Sequence, residues 1–383
     1  MPLGLTVPSP SESSADGSGC SPAVARPSTC VKCAATAAVA GANMKRGSGY
    51  CADCFVLMAG AKFRRVFASA GKRRQDSSSK VVDPLAPGGS DNSGVVVAFD
   101  GSARAVAALN MWRETLRHRA LRDRRQEASS LRTIVVFVLT TLDRESVDAA
   151  VAASRRVRAR FSEFSWLNAH VASALPASSS SSSSSLAALE LSNCAADAVL
   201  GLDSLERLGS TLDGVTSATE RTELLGRLER ALLGRVARQS GFGCVICCED
   251  GDALAARLLS LVALGKAPTT LDEVGAVEEC EGGVDADVPF TILRPLRELS
   301  TRDVAFYCRF CALDELVLSN RLVAPLNAAA QGSASRSSDQ QSVQSVTAGF
   351  IRELQTDFAD TVSTTLRSAD KVMRKESAVD DHR

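Results

Sequence analysis

Residues 94–105 read GVVVAFDGSARA, and they carry the clearest signal of the fold class. The continuous apolar run over 95–99 predicts a strand that is buried on both faces, as in a parallel sheet. Asp100-Gly101-Ser102 ends the strand as a turn, and a helix is predicted from about 103 to 125. A buried strand that leads through a turn into a helix is the repeating unit of α/β domains.

The same alternation continues along the chain. Short apolar runs predict further strands over 133–139, 244–247 and 290–293. Helices are predicted over 146–161 and 252–264, after the capping residues Ser217 and Glu220, and after Ser300 and Asp303. Strands that alternate with helices indicate a parallel sheet with right-handed crossovers, so the predicted fold class is α/β.

Composition divides the chain into six segments. The predicted segments are a disordered Ser/Pro/Gly-rich tail (1–27), a zinc ribbon and basic helix (28–75), a linker (76–93), the α/β domain (94–324) with a serine-rich insertion near 177–186, a second linker (325–345) and a C-terminal helical segment (346–383). The α/β domain is long enough to bury a core of its own.

Charge and cysteine content limit the classes of function. Lys and Arg together number 44, as do Asp and Glu, so any affinity for nucleic acid must come from local patches. We expect no signal peptide and no membrane span, because no apolar run approaches the ~20 residues that a bilayer requires. Twelve cysteines without an export signal indicate a reducing compartment, with metal-bound or buried thiols.

Four cysteines near the start form the most specific motif. Cys30, Cys33, Cys51 and Cys54 read C-x2-C, 17 residues, C-x2-C, the spacing of a four-thiolate zinc ribbon. Two such pairs complete a tetrahedral shell and leave no position open for water. The motif therefore predicts a structural Zn2+ site that performs no chemistry.

A basic helix is predicted directly after the ribbon. Phe63, Val66 and Phe67 are spaced for one helical face, which leaves the charged residues on another. The first 80 residues contain eleven Lys and Arg against four acids. We expect six basic residues to contact nucleic-acid phosphates: Lys62, Arg64, Arg65, Lys72, Arg73 and Arg74. The alternative is a solvated helix face that serves solubility.

Other cysteines and acids carry weaker signals. An iron–sulfur or persulfide site would use residues among Cys244, Cys247, Cys248, Cys308 and Cys311. The favoured interpretation is that these thiols are buried in the core, because free cysteine is among the most buried residue types. The acidic pairs at 249–250 and 278–279 are interpreted as solvated loop charges.

The turn after the first strand resembles a degenerate form of the SGGxDS loop of N-type ATP pyrophosphatases. Asp100 stands where the first Ser belongs, Gly101 keeps one glycine, and Ser102 replaces the other. Arg104 and Ala105 replace the terminal Asp-Ser pair. Because a carboxylate at Asp100 would repel pyrophosphate, we expect the loop to have lost catalysis and ATP binding.

Together with the ribbon, this loop is part of a wider resemblance. The chain resembles the cytoplasmic tRNA 2-thiolation protein 2 family in several segments that follow one another in order. The matching segments are CVKC (30–33), YCADCF (50–55), KFR (62–64), the helix at 254–266, ILRPLR (292–297) with AFY (305–307), and FADTVSTTLR (358–367). The resemblance covers about residues 29–373, interrupted by the serine-rich insertion and the linkers.

The resemblance implies a fold and a function. The fold is an N-type ATP pyrophosphatase-like, or adenine nucleotide alpha hydrolase-like, domain with a degenerate phosphate loop. The implied function is that of a cytoplasmic non-catalytic subunit, which pairs with a catalytic thiolation protein 1 in 2-thiolation of the wobble uridine of tRNAs for Lys, Glu and Gln. The sulfur donor is a thiocarboxylated ubiquitin-related carrier protein. The alternatives are a self-sufficient tRNA sulfurtransferase and a zinc-ribbon adaptor with no tRNA role.

Overall fold

The structure is a computed structural model that describes residues 29–35, 43–44, 48–75, 94–122, 131–175, 197–266, 271–280, 290–319, 341–358 and 360–380. The predicted N-terminal tail, the first predicted linker and the serine-rich insertion lie outside these residues, as does most of the second linker. Contacts divide the chain into two units, Met1–Cys51 and Ala52–Arg383.

The first unit contains a short antiparallel strand pair, β1 (Asn43–Met44) and β2 (Ser48–Gly49). Cys30 forms a bridge with Gly49, and the Val31 amide donates to the Gly49 carbonyl at 3.0 Å. The Cys30 amide donates to the carbonyl of Ala35, and the Ala34 amide donates back to the carbonyl of Cys30. These bonds hold the first C-x2-C pair in a closed turn.

The second unit contains seven strands and nine helices among its described residues. The strands are β3 (Gly94–Phe99), β4 (Arg132–Leu139), β5 (Ser165–His170), β6 (Val199–Leu200), β7 (Cys244–Ile246), β8 (Val277–Cys280) and β9 (Phe290–Leu293). The helices are α1 (Ala52–Gln75), α2 (Ala103–Arg122), α3 (Arg144–Arg160), α4 (Leu205–Asp213), α5 (Ala218–Gln239), α6 (Gly251–Ala263), α7 (Thr301–Phe310), α8 (Val343–Asp357) and α9 (Thr361–Asp380).

The strands form one sheet in the order β6-β5-β4-β3-β7-β9-β8. The predicted α/β class is confirmed, and the four predicted strands occupy the centre of the sheet. The prediction of a parallel sheet needs one correction, because β8 pairs antiparallel with β9 at the edge. The prediction also missed β5 and β8, which mix polar with apolar residues, and β6, which is only two residues long.

The central strand β3 is buried along its whole length. Val96 and Ala98 pack in one cluster with Leu232 and Val236 of α5, while α2 lies against the same strand. Burial on both faces explains why β3 is a continuous apolar run rather than an alternating one. The carboxyl end of β3 thus delivers Asp100 to the sheet edge where parallel α/β proteins bind ligands.

Helix α1 packs its apolar face against α2 and α7. Phe63 and Phe67 are buried, and the ring of Phe67 stacks on Trp112 of α2 with centroids 5.2 Å apart. Phe55 meets the rings of Phe306 and Phe310 in α7 edge-on. The predicted apolar face is confirmed, and it holds the opposite, charged face of α1 in a fixed orientation.

The two C-terminal helices lie on α6. Ser260 and Thr347 are joined by a hydroxyl–hydroxyl bond of 2.7 Å, and Gln355 donates to Asp252 at 2.7 Å. Helix α8 ends at Asp357 with Phe358 as its C-cap, and α9 begins at Thr361. No helix in the described part of the chain is both long enough and apolar enough to cross a bilayer.

Helix α7 begins with the capping box that the sequence predicts. The Asp303 amide donates to Ser300 Oγ, and the Ser300 amide donates to Asp303 Oδ2, both at 3.1 Å. We expect Ser300→Ala to lower the free energy of unfolding by about 1 kcal/mol, because an amide at the helix start loses its acceptor. Urea unfolding measures this loss. Ser210→Ala, on the exposed face of α4, is the matched control; an equal loss there would contradict the cap assignment.

Candidate functional site

The four predicted cysteine ligands come together. The Sγ atoms of Cys30, Cys33, Cys51 and Cys54 all lie within 4.8 Å of one another, and those of Cys33 and Cys51 are 3.6 Å apart. Four Zn–S bonds of about 2.3 Å in a tetrahedron separate the sulfurs by roughly 3.8 Å. The donor set therefore fits a single tetrahedral ion. No second group of three or more His, Cys, Asp or Glu ligands converges in this way among the described residues.

The cluster favours thiolates. Backbone amides of Cys51 and Cys33 point at the sulfur of Cys30 and lower its pKa to about 6, although burial opposes the shift. The second pair straddles the start of α1, because Cys51 precedes the helix and Cys54 lies in its first turn. A helix N-terminus stabilises a nearby negative charge. Thiolates are the form in which cysteine binds a metal.

The predicted tRNA-binding side chains occupy different environments. Lys62 Nζ donates to the backbone carbonyl of Glu298 at 3.0 Å, and Arg65 Nη1 pairs with Glu298 Oε2 at 2.7 Å. Arg64 is half-buried beside Gly60. The side chains of Lys72, Arg73 and Arg74 lie outside the described part of the structure. Two of the six basic residues therefore already have an acidic neighbour on the α/β domain.

The predicted phosphate loop bonds to itself. Asp100 Oδ1 accepts the Ser102 amide at 2.9 Å, and Ser102 Oγ accepts the Ala105 amide at 3.3 Å. Gly101 has φ +78°, a left-handed conformation that favours glycine, and its carbonyl accepts the Leu318 amide at 2.8 Å. Two amides at this helix start, those of Ser102 and Ala105, thus already have acceptors within the chain.

An arginine occupies the same edge of the sheet. Arg104 Nη1 lies 3.7 Å from Asp250 Oδ1, and Asp250 is fully buried. Burial opposes the charge of Arg104, but Asp250, Asp100 and Glu249 outweigh it and raise the pKa of the guanidinium. Asp250 also caps α6 by accepting the Ala253 amide at 2.9 Å. The loop and the start of α6 are therefore joined by charge.

An ion-pair network contains Glu249 and Glu278, and Asp250 is buried beside Arg104, so the interpretation of these three acids as solvated loop charges is wrong, whereas Glu279 is exposed. Arg294 is 1% exposed and lies at the centre, with Nε 3.0 Å from Glu249 Oε2 and Nη2 2.5 Å from Glu278 Oε2. Arg257 joins Glu249 at 3.0 Å and Glu273 at 2.9 Å, and Arg230 pairs with Glu278. Burial would raise the pKa of Glu249, but Arg257 and Arg294 outweigh it and hold the value at about 2.

The remaining cysteines lie in the core or beside the loop. Cys244 and Cys308 are buried, as expected, while Cys247, Cys248 and Cys311 are half-buried. Burial raises the pKa of Cys247 and Cys308 to about 12, and it raises that of Cys248 well above its ordinary range. Cys248 Sγ donates to the Ala98 carbonyl at 3.0 Å. Protonated thiols of this kind are poor nucleophiles at neutral pH.

Glu229 of α5 is half-buried and interacts electrostatically with Asp100 and Glu249. Burial raises the pKa of Glu229 to about 7, and the charges of Asp100 and Glu249 act in the same direction. The value lies above the ordinary 4.5, so the folded state binds the proton more tightly. Stability linked to this group is full below pH 4.5 and is lost as the pH rises through 7.

We therefore expect Glu229→Gln to become more stable relative to the natural chain as the pH rises from 5 to 8. The change removes a charge that burial and two neighbouring carboxylates oppose. Urea unfolding at several pH values measures the difference. Glu353→Gln, at an exposed acid on α8, makes the same change of charge and is the matched control. A flat profile for Glu229→Gln would contradict the assignment.

Three of the segments that carry the family resemblance, 254–266, 292–297 and 358–367, meet around α6. The 254–266 segment begins in this helix, and 292–297 runs from β9 into the buried Arg294. Arg297 Nη2 donates to Asp370 Oδ1 at 2.7 Å and to the Leu366 carbonyl at 3.2 Å, which ties this segment to α9. A Cβ on Gly251 would lie 2.8 Å from the Arg297 carbonyl, so glycine is required for this close approach.

Several curated proteins are similar to this chain in sequence. Cytoplasmic tRNA 2-thiolation protein 2 of Aedes aegypti is 25% identical over 349 residues, 90% of this chain and 65% of that protein. The resemblance to this family is confirmed. The Caenorhabditis briggsae protein of the same name is 23% identical over 90% of this chain and 84% of its own length. The Danio rerio protein is 30% identical over 44% of this chain. The match spans only about 30% of the length of the Danio and Xenopus relatives.

No family model matches the chain. Among solved structures, the U34-tRNA thiolase NcsA from Methanococcus maripaludis, solved with its [4Fe-4S] cluster, has a TM-score of 0.54 and 12% sequence identity. The alignment covers 90% of this chain and 88% of NcsA. At this identity the likeness establishes the fold alone. The iron–sulfur cluster is a property of NcsA and is not transferred to this chain.

Proposed function

We propose that this chain is a non-catalytic subunit required for 2-thiolation of the wobble uridine in cytosolic tRNAs for Lys, Glu and Gln. In this role it forms a heterodimer with the catalytic thiolation protein 1 in the cytoplasm. The sulfur reaches the complex from a thiocarboxylated ubiquitin-related carrier, which is an indirect partner of this chain. The names of the relatives and the thiolase fold both support a role in tRNA 2-thiolation.

The conformation of the loop at Asp100 supports the division of labour between the subunits. Asp100 Oδ1 accepts the Ser102 amide at 2.9 Å, in the turn where pyrophosphate would bind to a working loop. A phosphate placed there would have to displace a carboxylate and overcome its charge. Arg104, at the position of the terminal acid, is directed to Asp250. These contacts support a scaffold that leaves adenylation to its partner.

The metal site supports a structural role for the N-terminal segment. We propose that the four cysteines bind one Zn2+, which folds the N-terminal segment and leaves no position open for a substrate. The sulfurs lie within 4.8 Å of one another, which suits a single ion. In a [4Fe-4S] cluster each cysteine binds a separate iron, so the sulfurs lie further apart. The charged face of α1 beside this segment would contact tRNA phosphates.

The decisive experiment is nucleoside mass spectrometry of tRNA after deletion of the gene. We expect wobble 2-thiouridine to fall to background and to return with the natural chain. Unchanged 2-thiouridine would overturn the proposal and favour an adaptor with no tRNA role. The purified chain, supplied with ATP, sulfide and tRNA, should form no thiolated product alone. Product formation would refute the non-catalytic assignment.

A self-sufficient sulfurtransferase remains the second candidate, because NcsA combines this fold with an iron–sulfur cluster. The raised thiol pKa values of Cys247 and Cys308 speak against a persulfide or cluster at those positions. Iron, zinc and acid-labile sulfide measured on anaerobically purified protein separate the candidates. About one zinc and no sulfide supports the scaffold, whereas iron with sulfide supports the enzyme.

A further inference from the structure

Glu298 contacts two predicted RNA-binding residues of α1 at once. Arg65 Nη1 lies 2.7 Å from the Glu298 carboxylate, and Lys62 Nζ donates to its backbone carbonyl at 3.0 Å. Lys62 and Arg65 are three residues apart, so they project from neighbouring positions on one helical face. One residue of the α/β domain therefore engages both cations.

Both sides of this contact are fixed by buried neighbours. On the α1 side, Phe63 and Val66 are buried next to the two cations. On the other side, Leu296 and Leu299 are buried, and the Leu299 amide donates to the Leu296 carbonyl at 2.8 Å. Glu298 itself is exposed. The carboxylate is thus presented to α1 from a turn whose backbone does not need to rearrange.

The ion pair is placed so that an anion can replace it. The side chains of Arg65 and Glu298 are 64% and 38% exposed. Exposed pairs of this kind are weak, so RNA phosphate can exchange with the carboxylate and leave the cation paired. A polyanion that offers phosphates along α1 gains from several cations at once, whereas a single small anion gains from one.

We propose that Glu298 is a specificity-determining residue, which competes with phosphate for Lys62 and Arg65 and weakens the binding of non-cognate polyanions to α1. This inference rests on the proposed contact between α1 and tRNA. Cognate tRNA displaces the carboxylate because its other contacts offset the loss. Removing the carboxylate therefore tightens electrostatic binding and reduces selectivity.

The test measures the affinity of the full-length protein for two RNAs from 50 to 300 mM salt. The RNAs are a transcript of a tRNA with a wobble uridine and a single-stranded RNA of equal length. We expect Glu298→Gln to bind both RNAs about twofold to fivefold more tightly at low salt, with the larger gain for the single strand. The slope of log affinity against log salt should steepen by about 0.7 to 0.9, as for one added phosphate contact.

Two control variants identify the cause. Glu353→Gln makes the same change of net charge on α8 and should leave affinity and slope unchanged. The gain should disappear when Glu298→Gln is combined with Lys62→Ala and Arg65→Ala. Equal effects of Glu298→Gln and Glu353→Gln would overturn the inference. A lower melting temperature with an unchanged salt slope would also overturn it, since Glu298 would then only dock α1.

The outcomes also separate this inference from the proposed function. If the natural chain binds tRNA and Lys62→Ala with Arg65→Ala has no effect, α1 is not the RNA surface and the inference fails. Wobble 2-thiouridine lost on deletion would then still support the thiolation role. If deletion leaves 2-thiouridine unchanged, the proposed function fails whatever the binding data show.

Discussion

Cys30→Ser is expected to reduce bound zinc from about one ion per chain to near none and to unfold the N-terminal segment. Serine cannot supply the thiolate that completes the shell, and three remaining ligands leave the ion open to water. Because the unfolded segment has no preformed site, the binding free energy of the metal is also folding free energy. Zinc analysis after gel filtration and limited proteolysis measure the two losses. Cys54→Ser should give the same result.

Substitutions at other cysteines control for general damage. Cys244→Ser changes a fully buried thiol of β7 and should leave the zinc content unchanged, although it is expected to cost stability. Loss of zinc from Cys244→Ser would show that the ligands are assigned wrongly. Retention of zinc by both Cys30→Ser and Cys54→Ser would have the same meaning. We also expect tRNA affinity to fall in these two variants, because α1 loses the support at its start.

The predictable part of the fold is its buried centre. Strands β3, β4, β7 and β9 are apolar runs because helices cover both faces of the sheet there, so the pattern is visible locally. Strand β5 reads SWLNAH and was not predicted. Its Asn168 and His170 are buried but bonded, since Asn168 Nδ2 donates to the Ala198 carbonyl and the His170 ring bonds the Thr141 carbonyl. Partners that lie 29 or 30 residues away cannot be recognised from a local pattern.

The site likewise has one part that a local pattern predicts and another part that only the fold brings together. Two C-x2-C pairs specify their geometry by spacing alone, so the four ligands could be predicted. The network around Arg294 joins residues 16 and 45 positions apart, and only the fold brings them together. A pair such as Glu278-Glu279 looks like a loop until β8 places the first residue inward and the second outward. Sheet alternation at an edge strand was the available signal.

Arg294→Met is expected to lower the free energy of unfolding by about 3 to 5 kcal/mol. Its guanidinium bonds the carboxylates of Glu249 and Glu278 and, at 3.1 Å, the Gly275 carbonyl. Methionine fills much of the space but leaves Glu278, which is 4% exposed, with only part of its compensating charge. The loss of stability reflects an uncompensated buried charge. It exceeds the net free energy that the ion pair contributes to folding. Chemical denaturation measures it.

The stability loss of Arg294→Met should depend on pH and on a second substitution in the network. Glu249 has a folded pKa of about 2, below its ordinary 4.5, so its contribution is present above pH 4.5 and is lost as the pH falls through 2. The deficit of Arg294→Met should therefore be largest near neutral pH and shrink in acid. Adding Glu278→Gln should recover part of the loss, because it removes the stranded charge. Arg227→Met, whose side chain is 75% exposed beside Glu223, should change stability by no more than about 0.5 kcal/mol. Equal losses in Arg294→Met and Arg227→Met would mean that the network is solvated after all.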